Sequence, residues 1–203
     1  MIIFHKIMLS RLLYLFFFSG FAAIIYQIVW QRVLFTSFGT NIEAITIVVS
    51  VFMFGLGVGS LVGGYLSKIF NQKLLFLFML IEIGIGLFGL ISIPLIKYIN
   101  FLTFDLAEWT LPFIIYSILF FPTMAMGATL PILVTYIYKI TNSVGDSVST
   151  LYYANTLGSA IACLVTVGII FIFLSLSIAT YIAASLNFII AILTYLYLKK
   201  LKV

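Results

Sequence analysis

Residues 74–96 read LLFLFMLIEIGIGLFGLISIPLI, an apolar run broken by a single charge, Glu82. Coiled as a helix at about 1.5 Å per residue, this run crosses the roughly 30 Å of hydrocarbon in a bilayer. A helix is required because lipid offers no hydrogen-bond partner to backbone N–H and C=O groups. A lipid-facing barrel would need short strands of alternating polarity, and this run does not alternate.

The same reading extends outward. Runs of comparable length occupy 12–35, 42–66, 112–138, 150–174 and 178–198, which with 74–96 makes six spans. The expected fold is all-α: residues 1–203 as one polytopic membrane domain, a six-span helical bundle with a three-plus-three internal repeat. Composition agrees, with 65% hydrophobic and 7% charged residues among 203. Ordinary soluble domains carry roughly a quarter charged residues. The first run follows Lys6 and Arg11, as a signal peptide would. It is too long for one, and no small-x-small cleavage site ends it, so it is read as a retained span.

The net charge of +5 marks orientation rather than nucleic-acid binding. With both termini in the cytoplasm, the inner side holds Lys6, Arg11, Lys68, Lys73, Lys139, Lys199, Lys200 and Lys202, and the outer side only Arg32 and Lys97. This bias points to a multi-pass protein of the cell's inner membrane. Cys163 is the sole cysteine and His5 the sole histidine. No metal site, cofactor site or His-based triad is therefore expected, and nothing forms a nucleophile–base pair for an enzyme acting alone. On the outer side, Asp105, Glu108 and Trp109 mark the longest connection, between Lys97 and Leu111.

Charge is so scarce that Glu82 stands out. It lies about 12 Å into its span, where an ionisable group is costly and faces protein or a water-filled cavity. Two readings compete: a cation or proton site, or a neutral carboxyl hydrogen-bonded to a neighbouring helix. Asn155 and Thr129 fall at a comparable depth and are its candidate partners. The outer half of the first span carries Tyr26, Gln27, Trp30 and Gln31 on two adjacent faces. These residues suit a polar substrate vestibule, with Tyr26 and Trp30 offering cation–π faces. Arg32 and Glu43, across the next turn, are expected to form a salt bridge.

Gly55, Gly59 and Gly63 recur every four residues and form one stripe that admits another helix closely. A phosphate-cradling loop would need a preceding strand, which is not available. Ala154, Gly158 and Ala162 repeat the stripe in the fifth span. The two stripes are expected to pack together or on another subunit. Pro122, Gly127 and Pro131 predict a kinked or broken fourth span.

Four ordered motifs carry a resemblance. They are Tyr26-Gln27-Ile-Val-Trp30-Gln31-Arg32 with Phe38-Gly39, then Phe54 to Gly64, then Pro122 to Pro131, then Leu151-Tyr152-Tyr-Ala-Asn155-Thr156-Leu-Gly158. Together they resemble the membrane domain of the spermidine synthase-like (polyamine aminopropyltransferase) family. That family's members continue into a cytosolic methyltransferase-like domain that binds decarboxylated S-adenosylmethionine and carries the catalytic aspartates. Residues 1–203 hold no stretch that reads as such a domain, so the resemblance is expected to transfer a membrane module and no catalytic residue. It implies a stand-alone module that binds, moves or presents a small polar substrate, such as a polyamine, to a cytosolic aminopropyltransferase- or methyltransferase-like partner. Residues 59–73 are also similar, more faintly, to the loop after the second span of the major facilitator superfamily, with Ser67 where an acidic residue is usual. The alternatives are a half-size transporter working as a homodimer and a non-catalytic assembly subunit.

Overall fold

The computed structural model describes residues 2–38, 41–103 and 110–201, with the side chains of 9–36, 42–103 and 110–199. Asp105, Glu108 and Trp109 lie outside the described residues, as does the centre of the first turn, Gly39 and Thr40. The helices are α1 (Ile2–Phe38), α2 (Asn41–Ile69), α3 (Leu74–Leu102), α4 (Thr110–Thr141), α5 (Val144–Val165) and α6 (Leu176–Leu201). α5 continues through a π-helical turn, Thr166–Ile170, and a last helical turn, Phe171–Phe173. No strand occurs among the described residues.

Six helical stretches are long and apolar enough to cross a membrane: Leu9–Thr36, Ile42–Ile69, Leu74–Leu102, Thr110–Thr141, Val144–Phe173 and Leu176–Lys199. Each overlaps one expected run. The chain is thus a multi-pass helical bundle whose outer surface is lined by side chains such as Leu61, Phe121, Leu164 and Ile172.

The connection expected over 139–149 is nearly all helix. Only Asn142 and Ser143 separate α4 from α5. Asn142 takes the left-handed conformation, φ 53°, which its short polar side chain tolerates. Ser143 caps α5 by accepting the Asp146 backbone N–H, so one orphan donor of the helix start is satisfied.

α4 is not broken. It runs unbroken through both Pro122 and Pro131. Proline at 131 removes the N–H that would serve the Gly127 carbonyl, and Ser60 Oγ of α2 comes within 3.5 Å of that oxygen. The Thr123 hydroxyl lies 2.9 Å from both the Leu119 and Phe120 carbonyls. α2, seated closely along the stretch between the two prolines, accompanies the helix through residues that would stop it in water.

α1 is the hub and touches every other helix. α2 lies along α4, α5 along α1, and α3 along α6. α3 also packs on α4 as α6 does on α1, and α4 on α5 as α1 does on α2. These pairings are related by a twofold exchange of α1–α3 with α4–α6, although the contact between α1 and α3 has no comparable counterpart between α4 and α6. Three helices per half reverse the chain direction, which makes the exchange an inverted one.

The glycine stripes follow this scheme and do not meet each other, contrary to expectation. Gly55, Gly59 and Gly63 face α4: a Cβ on Gly59 would overlap the Met124 carbonyl, and one on Gly63 the Ala128 carbonyl. Gly127 of α4 reciprocates against Leu56. Gly158 faces α1, where a Cβ would overlap the Phe17 carbonyl. Each stripe serves the opposite half because only a missing side chain lets two backbones come this close.

The Arg32–Glu43 ion pair is not formed. The Arg32 guanidinium carbon sits 4.7 Å above the Phe171 ring, and Glu43 is exposed. Arg32 lies about 9 Å short of the α1 terminus, which places it beside the end of α5 rather than at the turn.

The stripes supply a test with an internal control. Gly59→Leu is expected to destabilise the bundle in detergent by about 1–3 kcal/mol, the usual range for forced overpacking. Gly57→Leu should leave the melting temperature unchanged, because no atom lies within 4 Å of a Cβ there. Equal melting of both variants would refute the assignment of the stripe to α4.

Candidate functional site

The bundle has two apolar cores, one at each end. Leu12, Phe16, Leu74, Phe78, Ile132 and Leu151 form the core at the end that carries the termini. Trp30, Val48, Ile96 and Leu119 belong to the core at the other end. Between them lies a layer of polar side chains, and Glu82 is at its centre.

Glu82 is fully buried, and both of its carboxyl oxygens accept hydrogen bonds. Ser19 Oγ of α1 donates to Oε1 at 2.6 Å. Asn187 Nδ2 of α6 donates to Oε2 at 2.6 Å. The Tyr26 hydroxyl, two turns beyond Ser19 on α1, donates to Asn187 Oδ1 at 2.9 Å. Three helices are thus joined through four buried side chains. No Lys or Arg pairs with Glu82 among the described residues.

The local sequence of α3 makes this convergence possible. Gly86 and Gly89 follow Glu82 on the same helical face. A Cβ on Gly89 would overlap the Tyr26 side chain. One on Gly86 would crowd Phe188 at 3.1 Å and Asn187 at 3.3 Å. The glycines are the notches into which Tyr26 and Asn187 are received.

A cavity of about 280 Å³ adjoins this network, between α1, α2, α4 and α5. Its polar lining comprises Ser19, Gln27, Ser60, Thr129, Asn155, Ser159 and Asn187, with Tyr152 at its rim. Glu82 is not on the wall. It stands one residue behind it, holding Ser19 and Asn187 in place.

The direction of each hydrogen bond defines what the wall presents. Ser19 donates its proton to Glu82, Ser60 to the Leu56 carbonyl at 2.9 Å, Thr129 to the Met126 carbonyl at 2.6 Å, and Ser159 to the Gly20 carbonyl at 3.2 Å. Asn155 donates from Nδ2 to the Phe16 carbonyl at 3.2 Å. With their protons committed, the hydroxyls turn only oxygen lone pairs toward the cavity, since a hydroxyl has one donor and two acceptor sites. The hydroxyls of the wall thus offer acceptors only, the amides of Gln27, Asn155 and Asn187 offer both oxygens and N–H groups, and a carboxyl stands behind.

Of the residues singled out from the sequence, Gln27, Asn155 and Thr129 line the cavity. Asn155 and Thr129 do not bond to Glu82; its partners are Ser19 and Asn187. Tyr26 acts through its hydroxyl. Its ring stacks on Trp30 at 5.3 Å, and Trp30 is flanked by Phe52 at 5.8 Å and Phe88 at 5.6 Å. Neither ring lines the cavity. Ser19 and Asn187 were not singled out from the sequence, although an asparagine inside an otherwise apolar sixth span is itself the kind of polar intramembrane residue that marks a site.

The network predicts coupled stabilities. Tyr26→Phe removes one donor and is expected to cost about 0.5–1.5 kcal/mol, whereas Asn187→Leu leaves a buried carboxyl oxygen unserved and should cost about 1–3 kcal/mol. The double variant should fall well short of the sum. Strict additivity in thermal or denaturant unfolding would show that these side chains do not act as one network.

Comparison with protein-family models, with curated proteins and with solved structures finds no match to this chain.

Proposed function

We propose that this chain is a membrane module that binds a small ammonium-bearing substrate in the cavity between its two cores and moves it or presents it to a cytosolic partner. The observation that carries this reading is the acceptor-lined wall backed by Glu82. An ammonium group brings three donors and no acceptor. It would complement lone pairs whose own protons are committed elsewhere, and Glu82 would supply the opposing charge. An anionic ligand would meet those acceptors with no donor to offer, which costs the desolvation of each unpaired group.

Size and sequence support the same class. The cavity is at the lower edge of the roughly 300–1,000 Å³ typical of ligand pockets. The resemblance to the spermidine synthase-like membrane domain favours a polyamine. It also favours a separate aminopropyltransferase- or methyltransferase-like protein as the partner, met at a cytoplasmic face that bears the basic residues. An inverted pairing of two three-helix halves around a mid-depth site is an arrangement that transporters use for alternating access.

Binding of spermidine to the protein in lipid nanodiscs tests the reading. Glu82→Gln should weaken binding by about tenfold or more, equivalent to ~1.4 kcal/mol. Asn155→Leu, which replaces an acceptor on the wall, should weaken it in the same direction. Unchanged affinity in both variants would remove the site from the proposal, and no binding to the wild type of any amine would remove the function.

A further inference from the structure

The cavity is closed on one side and open on the other. α3 and α6 pack along each other and set Glu82 and Asn187 across the closed side. α2 and α5, which the twofold exchange also relates, flank the opposite side without extended packing between them. Leu56 and Ser60 of α2 and Tyr152 of α5 line the cavity and are exposed at the same time. The gap between these two helices is therefore the mouth.

Depth decides what the mouth faces. Ser60 lies about 14 Å and Tyr152 about 12 Å from the nearer ends of their spans. The spans that hold them, 42–69 and 144–173, are about 42 and 45 Å long and overrun the roughly 30 Å of hydrocarbon by about 6–8 Å at each end, so Tyr152 lies near the interface, Ser60 within the hydrocarbon, and Leu56, about 20 Å from either end of its helix, at mid-depth. The opening therefore faces lipid tails along Leu56 and Ser60 and approaches the interface at Tyr152. Leu56 at the mouth is exposed, whereas Ser19 and Asn187 on the wall are buried.

We infer that the ligand of this site is an amphiphilic amine, an ammonium head on a single hydrocarbon chain, which reaches the cavity sideways from the bilayer between α2 and α5. This inference rests on the ammonium-site reading above and names its substrate class. The head meets the acceptor wall in front of Glu82. The tail runs out past Leu56 and Tyr152 into lipid, so the ammonium leaves the bilayer interface without stranding its chain in a polar site. The lateral mouth then has a use that a soluble polyamine does not give it.

Two probes separate this inference from the reading it rests on. The first is dodecylamine carrying a photoactivatable diazirine in its tail, added to the full-length protein in nanodiscs. The expected labels fall on Leu56, Ser60 and Tyr152, are displaced by excess unlabelled dodecylamine and not by dodecanol, and drop by about tenfold in Glu82→Gln, the same ~1.4 kcal/mol. The second is spermidine, measured in the same membranes. Spermidine binding that dodecylamine fails to displace would overturn the lateral inference and leave the ammonium site standing. Failure of both amines would overturn both. Labels spread evenly over the lipid-facing helices, or absent from α2 and α5 because a second copy of the chain covers them, would also overturn the lateral route.

Discussion

A carboxyl group held in the middle of a membrane bundle constrains everything near it. Lipid cannot solvate Glu82, so its oxygens must be served by other helices. Ser19 and Asn187 do this at 2.6 Å each, and Tyr26 in turn serves Asn187. Satisfying these four side chains fixes how α1, α3 and α6 sit relative to one another, because each bond tolerates only a few tenths of an ångström. The glycines at 86 and 89 follow from that requirement: without them the partners could not reach the α3 surface. The layer also explains why the apolar interior divides into two cores rather than one. A polar network at mid-depth interrupts the packing, and beside it the α1–α5 and α2–α4 pairs leave the cavity open.

The spans were legible in the sequence because hydrocarbon thickness sets the length of an apolar run, and few other features compete with that signal. Their ends were less so. Residues 144–149 are polar enough to read as loop, yet Ser143 caps a helix that begins there. Span four contains two prolines and still forms one helix, because the carbonyl freed at Gly127 lies against a neighbouring helix and its serine. Close packing against a neighbouring helix holds such a span together where proline alone would predict a break.

The site was half legible. Glu82 could be found because a charge in an apolar run is rare, and the glycine stripes because their spacing matches a helical face. The partners of both were hidden. Depth arguments pointed Glu82 toward Asn155 and Thr129, but depth does not specify which faces meet. Ser19 carries no signal of its own, since a serine in a membrane helix ordinarily satisfies itself on its own backbone, as Ser60 and Thr129 do. Likewise the spacing of Tyr26 and Trp30 marked a face without saying that its rings would be sealed between Phe52 and Phe88.

The central claim is that the cavity in front of Glu82 selects an ammonium group, and site-directed protection tests it most directly. Ala23 lines the cavity, and the native Cys163 is exposed on the helix surface. In a Cys163→Ser background, Ala23→Cys can be labelled with a membrane-permeant thiol reagent in the presence of dodecylamine, spermidine or a neutral diol. The account predicts that an amine slows labelling, that the diol does not, and that Glu82→Gln abolishes the difference. Equal protection by amine and diol, or protection that survives Glu82→Gln, would contradict it.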